Sequence, residues 1–388
     1  MNKSILIIKA SSQYGALRLF CDEMSQGFID EACNITVFDL LSNSEILLLD
    51  ELKKNYDIVV NFNGQLNSKA DFADIINETT SILVSLYVDH PMYHLSKINN
   101  HINRSISLYV CNSHLQCIKI NKGECERDYF LPHGGVSYQY DAIETLDDFK
   151  KRSDVLLFLG TYYDMRVVDE RRFHEKDYIN NICKKLLMFL DAGYNFEYAF
   201  AQITTKYNIG NDAMHLLYNY AFEKVYIYSR YKVRRSVLTT LLDHGLEIKA
   251  YGNGEGWKEL QNKYSNLDYN PCLSMLDSLD AMKNHKYTLN DCSFFPDGSH
   301  ERPFNTLLNG GLPISYESSY FKKTFPSDAV LYFNNKSLKS LPTKIEVLMN
   351  KPELAYHMMK NGFNIAKNHT WKNRAKDILK IVEIHLKK

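Results

Sequence analysis

Between Asp297 and Asn305 the chain reads Asp-Gly-Ser-His-Glu-Arg-Pro-Phe-Asn, which crowds acid, base and amide side chains into one short segment. Ser299 can cap a helix containing Arg302–Leu308, with Pro303 in the first turn, where its missing N–H costs nothing. Gly310 and Gly311 would stop that helix. A helix N-terminus offers free N–H groups and the positive end of a dipole, a suitable seat for a diphosphate. Glu301 can accept hydrogen bonds from a ribose diol, as an acidic residue does in dinucleotide folds. Arg302 can neutralise phosphate charge with a rigid fork of donors. Asn290, Gly298, His300 and Asn305 complete the candidate set. The same residues also make a capped surface helix that binds nothing.

Other candidates follow strands. Asp89 and His90 come directly after the apolar run Ser81–Val88. Transfer to a hydroxyl group needs a base to take its proton, and Asp89 suits that role by type and position, with His90 second. The alternative is an aspartate capping a turn before Pro91. His133 sits in the loop Leu131-Pro-His-Gly-Gly-Val136, and His114 follows Cys111-Asn-Ser113. His133 could touch donor or acceptor and is a third catalytic candidate, although a lone loop histidine is more often solvated, and His114 is weaker still. Gly160 and Thr161 end the strand Asp154–Leu159, a position suited to phosphates, and Arg166 or Arg230 could add positive charge there. Tyr251-Gly-Asn-Gly-Glu-Gly256 also follows a strand, and Tyr251 and Gly252 are candidates because glycine lets a backbone approach a ligand closely. Its spacing is not G-x-G-x-x-G, so a plain loop is an equal reading. Trp257 reads as a packing residue.

The elements that must hold these residues alternate. Apolar runs at Ser4–Lys9, Asn34–Leu40, Tyr56–Phe62, Ser81–Val88 and Ser107–Cys111 read as strands, separated by helical stretches such as Ala16–Glu31. A second series covers Asp154–Leu159, Glu247–Tyr251, Lys286–Leu289 and Leu312–Ser315. Such alternation predicts parallel α/β sheets, with ligands beyond the carboxyl ends of the strands. About residues 171–242 the pattern is helical throughout, at Ile179–Leu190, Phe196–Tyr207 and Ala213–Tyr228. This predicts a helical insertion in the second domain. Its aromatics Tyr194, Phe196, Tyr198 and Phe200 are either recognition residues or simple packing. Helices close the chain at Leu338–Asn350, Pro352–Ala366 and Trp371–Leu386. The domain boundary is expected near Arg152, giving domains of 1–152 and 153–366, then a final helix over 367–388.

Bulk composition narrows the function. The chain has 388 residues, 45% hydrophobic and 24% charged, an ordinary globular balance. Lys+Arg and Asp+Glu both number 46, which argues against a general nucleic-acid binder. The run Arg230-Tyr-Lys-Val-Arg-Arg235 reads as a solvated helix face, with a local basic patch as the alternative. The eight cysteines contain no C-x-x-C pair, so zinc and redox motifs have no support. The apolar run at the N-terminus is shorter than the roughly 7–15 residues of a signal peptide core. No stretch reaches the roughly 18 apolar residues of a membrane span. A cytoplasmic protein is expected, with room for peripheral contact with a membrane surface. The composition fixes no oligomeric state.

The segment around Glu301 resembles the donor-binding stretch of CgeB-like glycosyltransferases, a branch of the group 1 family. Three further stretches are similar to that family: Ile248-Lys-Ala-Tyr-Gly-Asn-Gly-Glu-Gly-Trp257, His369-Thr-Trp-Lys-Asn-Arg374 and Val88-Asp-His-Pro91. The resemblance implies the GT-B fold, two Rossmann-like doubly wound domains facing each other across a cleft. It implies an acceptor-side domain over 1–152, a donor-nucleotide domain over 153–366, and a last helix crossing back to the first domain, with His369, Thr370, Trp371 and Arg374 as a clasp. It implies transfer of a sugar from a nucleotide-sugar donor to a glycan, lipid-linked or protein acceptor, with no cofactor and no metal ion. No Asp-x-Asp triplet is present to hold a divalent ion. The chain departs from the family in one respect. Retaining members often carry a second glutamate seven residues after the first, and here that position is Leu308. The ribose role of Glu301 and the stereochemistry therefore stay open. The competing readings are a nucleotide-sugar epimerase on the same fold and a non-catalytic sugar-binding protein.

Overall fold

The computed structural model describes residues 2–68, 70–98, 102–138, 144–163 and 178–387. Arg166 and the first part of the expected insertion, 171–177, lie outside these residues. The chain divides into two compact units. The first comprises Met1–Val136, Ser299–Glu301 and Asn368–Lys388, and the second Ser137–Gly298 and Arg302–Lys367.

The first unit carries strands β1 (Ser4–Lys9), β2 (Asn34–Asp39), β3 (Ile58–Phe62), β4 (Ile82–Tyr87), β5 (Ser105–Tyr109) and β6 (Asp128–Phe130). They form one parallel sheet in the order β2-β1-β3-β4-β5-β6. The central strands β3 and β4 are buried along their whole length, which is why they read as mainly apolar runs, and their two polar residues bond to each other, Asn61 Nδ2 donating to Ser85 Oγ at 3.0 Å. Leu6, Ile8, Val59 and Leu83 lie in the core on one side of the sheet. The helix Trp371–Leu386 packs against Ala16–Asp30. Gly27 makes that packing close, since a Cβ there would meet the Lys372 carbonyl oxygen at 2.3 Å.

The second unit carries β7 (Leu156–Leu159), β8 (Ile248–Tyr251), β9 (Leu267–Asn270), β10 (Tyr287–Asn290), β11 (Leu312–Tyr316) and β12 (Leu331–Phe333). The parallel order is β12-β11-β10-β7-β8-β9. Strand order therefore reverses between β7 and β10, the dinucleotide-fold arrangement, and the crevice for a ligand lies at the carboxyl ends of those two strands. Between β7 and β8 stand the helices Tyr178–Asp191, Phe196–Lys206 and Asn211–Ala221, a π-helical turn over Phe222–Tyr226, and the helix Ile227–Asp243. The helix Glu301–Leu308 ends as the glycine pair requires. Gly310, at φ 76°, donates to Leu307 O, and Gly311 donates to Thr306 O, which together make a Schellman stop.

The fold class read from the sequence, successive doubly wound α/β units with a helical insertion, is the one observed. Three strands were not expected: β6, β9 and β12. All three are short, partly buried strands at sheet edges; β6 and β9 carry polar residues within them, while β12 ends the apolar run Ala-Val-Leu-Tyr-Phe over 329–333 and is hidden by its shortness.

Candidate active site

At the switch point of the second sheet, β10 ends in Asn290 and runs into Asp291. Asp291 is buried and takes two hydrogen bonds from Arg234, Nε to Oδ2 at 2.5 Å and Nη2 to Oδ1 at 3.1 Å. Arg302 Nη1 donates to Asn290 Oδ1 at 3.1 Å and lies 3.9 Å from Asp291 Oδ1. Burial pushes the Asp291 carboxyl up, but the guanidinium of Arg234, with those of Arg302 and Arg230, outweighs it and holds the group ionised below its ordinary value. Arg230 also lies over the Phe294 ring at 4.1 Å. Arg234 reaches the end of β7 as well, donating to the Thr161 carbonyl. One arginine thus ties together the two strand ends that flank the switch point.

Arg234 corrects the reading of the basic run. Arg235 is exposed, but Arg234 is 3% exposed and faces inward beside Val233 and Val237. Helical spacing puts Arg230 and Arg234 one turn apart on one face.

The glycines of the following loop serve a close backbone crossing. A Cβ at Gly252 would lie 1.8 Å from the Gly160 carbonyl oxygen, and one at Gly254 would lie 2.1 Å from that of Tyr162. Gly160 donates to Tyr251 O and receives the indole N–H of Trp257 on its own carbonyl at 3.2 Å. Trp257 is fully buried and stacked on Tyr269, a packing residue as its sequence context suggests. Gly160, Thr161, Tyr251 and Gly252 are therefore brought together. Gly298 presents its carbonyl to the Ser318 hydroxyl at 2.6 Å, and Asn305 is buried within its helix.

Ser299, His300 and Glu301 group with the first unit. The Ser299 hydroxyl, expected as a helix cap, accepts the His133 backbone N–H at 2.9 Å. The Ser299 carbonyl lies 2.5 Å from His133 Nδ1. A carbonyl only accepts, so Nδ1 carries the proton and the Nε2 lone pair remains. Nε2 lies 3.9 Å from Glu301 Oε2, which is 3.0 Å from His300 Nδ1. His133 is 2% exposed, and burial pushes its pKa down to about 4 against the opposing charge of Glu301. It is a neutral imidazole at pH 7, not a solvated loop histidine.

Asp89 follows β4, with its side chain 57% exposed. Its Oδ2 accepts from Asn63 Nδ2 at 3.1 Å and lies 3.5 Å from His94 Nε2. Partial loss of hydration pushes its carboxyl up, but His94, His133 and Asn63 together hold it below the ordinary value. His90 is buried, and its Nδ1 accepts the Met92 N–H at 3.3 Å. Its ring meets His114 edge-on at 4.8 Å between centroids. Burial, with the charges of His90 and His133, drives the His114 pKa well down.

Residues 234–380 match the family described as glycosyl transferase-like. The structure is similar to an alpha-glucosyltransferase solved with UDP-glucose and DNA containing an abasic site, at 10% identity and a TM-score of 0.62, covering 99% of this chain and 100% of that one. This is a GT-B glycosyltransferase. The transferase is also similar to Anabaena HepE solved with UDP and glucose, at 10% identity and a TM-score of 0.57, covering 98% of this chain and 100% of that one. A glycosyltransferase from Rickettsia africae ESF-5 matches at 12% identity and a TM-score of 0.57, covering 100% and 99%. At these identities the likeness carries the fold, and the family match carries the class of chemistry. No curated protein matches the transferase in sequence.

Sequence reasoning missed the parts of the site that act through other residues. Arg234 and Asp291 carry no motif, although the i, i+4 spacing with Arg230 was a usable signal. Arg374, read as a clasp, donates to the carbonyls of Pro132 and His133 and so fixes the loop that carries His133. Its Nη2 also lies 3.0 Å from His369 Nδ1. Among the described residues no cluster of three or more His, Cys, Asp or Glu could hold a metal ion, and no helix is long and apolar enough to cross a membrane.

Proposed function

We propose that the transferase moves a sugar from a nucleoside diphosphate donor to a hydroxyl acceptor, and that Arg302, Arg234 and Arg230 supply the charge that meets the diphosphate. The observation that carries this reading is the set of arginines around Asp291 at the switch point of the second sheet. The formal charge of these four side chains is +2, three guanidinium groups and one carboxylate. That suits the two negative charges of a diphosphate bridge. The first turn of the helix Glu301–Leu308 adds N–H donors and a favourable dipole. Charge held this way needs no divalent ion. Gly160, Thr161, Tyr251, Gly252, Asn290, Gly298, Ser299, His300, Glu301 and Asn305 complete the proposed donor-binding set. Uridine diphosphate sugars are the first donors to test, because similar structures were solved with UDP or UDP-glucose.

In the first unit, which we take as the acceptor side, Asp89 is the proposed base. It is ionised and accessible, whereas His90 is buried with Nδ1 already accepting a hydrogen bond. His133, a neutral imidazole, is the other group of this unit that we place next to donor or acceptor. We expect a glycan, lipid-linked or protein acceptor, since the balanced formal charge does not favour nucleic acid. The stretches quoted above support the CgeB-like branch. None of the eight cysteines is in a disulfide, which fits reaction in the cytoplasm.

The test is to incubate the full chain with UDP-glucose, UDP-galactose and UDP-N-acetylglucosamine, with and without glycan acceptors, and to quantify UDP. Acceptor-dependent UDP release supports the transferase reaction. An isomerised donor without acceptor would instead make the protein an epimerase, and binding with no turnover would make it a sugar-binding protein.

A further inference from the structure

A cavity of about 430 Å³ opens within the second unit. On one side stands the helical insertion, through Tyr194, Asn195 and Tyr226, and on the other the segments that follow β10, β11 and β12. Thr161, Gly252, Asn290 and Arg302 do not line it, although Arg230 does. Its size falls in the range of small-molecule sites and admits roughly one or two hexose rings.

The lining has the chemistry of a sugar site. Tyr194, Tyr226 and Tyr316 offer rings with apolar faces and polar tips. Between them lie the amides of Asn195, Asn334 and Asn335 and the hydroxyls of Ser229, Ser293 and Ser319. The charged groups of the wall sum to zero formal charge, Arg230, Lys322 and Lys336 against Glu197, Asp297 and Glu317. Glu317 accepts from Asn334 Nδ2 at 3.1 Å and lies 3.5 Å from Lys322, and Asp297 accepts the Ser319 hydroxyl at 2.8 Å. A neutral ligand rich in hydroxyl groups fits such a wall better than an ion does.

The helix beside the cavity is also distorted there. The π-helical turn Phe222–Tyr226 inserts a residue into an otherwise α-helical run, and turns of this kind recur at functional sites. It ends on Tyr226, whose hydroxyl donates to Phe294 O at 3.2 Å and so fixes the ring. Tyr194, half exposed, is stacked on Tyr198 at 5.3 Å and 19°.

We infer that this cavity binds a neutral mono- or disaccharide portion of the acceptor glycan, a sugar other than the one that receives the transferred group. The inference rests on the transferase reading, and it assigns the helical insertion a role in holding acceptor.

Saturation-transfer NMR on the full chain tests it, with maltose, cellobiose and chitobiose as probes, each with and without saturating UDP. At least one disaccharide should bind, and its signal should persist with UDP present. Tyr194→Ala should weaken that binding about fivefold while leaving UDP affinity unchanged, since it removes an aromatic face from the wall. Ser229→Trp, which fills the cavity from its helix, should abolish it. Absence of transfer from all three sugars, with UDP still bound, overturns the cavity assignment alone. Displacement of the sugar by UDP also overturns it, because the cavity would then belong to the donor seat. Sugar binding without UDP binding would overturn the donor reading and leave the saccharide site standing.

Discussion

Arg234 and Asp291 form a two-bond ion pair with side chains 4% and 1% exposed, and this pair joins the segment after β7 to the segment after β10. Removing one partner leaves a buried charge without its main counter-ion. Arg234→Met should therefore cost about 3–5 kcal/mol of stability in urea denaturation. The double variant Arg234→Met with Asp291→Asn should recover a good part of that loss, because the isolated charge is gone. An equal loss in single and double variants would show that the pair matters only through packing.

His133 ties stability to pH. Its folded pKa is about 4 against an ordinary 6.5, so the unfolded chain binds the proton more readily. Stability is then full above pH 6.5 and falls as pH drops toward 4. Between pH 7 and about pH 4.5 this histidine alone should remove about 2 kcal/mol, and His114 adds a loss of the same sign. His133→Asn keeps an amide donor for the Ser299 carbonyl and cannot titrate. Its urea midpoint should change less over that pH range than that of the unaltered chain.

Arg374 holds the loop of His133 from the other end. Arg374→Leu leaves the buried carbonyls of Pro132 and His133 without their donor, at about 1–3 kcal/mol for each group left unsatisfied. Hydrogen exchange should rise at Gly135, whose N–H bonds to His369 O, before it rises in β4. Unchanged exchange at Gly135 would remove Arg374 from its positioning role.

Asp89 acts on the acceptor, so its variant should separate chemistry from donor binding. Asp89→Asn should lower kcat by about 10²–10⁴ and leave UDP affinity unaltered. The same loss in Asn63→Ala, at roughly a tenth of the size, would reflect the hydrogen bond that orients the carboxylate. Full activity in Asp89→Asn would pass the role of base to another group.

What the sequence made legible follows from how strongly each element is constrained. Central strands such as β4 are buried on both faces, so apolar residues dominate and the run is plain to see. Edge strands such as β9 answer to one neighbour and a half-wet face, and Leu-Asp-Tyr-Asn does not betray them. The Gly310-Gly311 stop was readable because one of those positions takes φ 76°. Gly252 was noticed for the right chemical reason, close approach, but the approaching group is the Gly160 carbonyl, a partner distant in the chain. His133 was a candidate from the sequence, but its state was hidden for the same cause. Its burial and tautomer depend on Ser299 and Glu301, far along the sequence, and local composition around Pro132 and Gly134 carries no trace of them.

A nucleotide diphosphate seat built on Arg302 is tested most directly by calorimetric titration of UDP into the full chain and into Arg302→Ala. The unaltered chain should bind UDP. The variant should bind roughly 10- to 100-fold more weakly, the worth of one charge-assisted hydrogen-bond set. Equal UDP affinity in the two proteins would contradict the assignment.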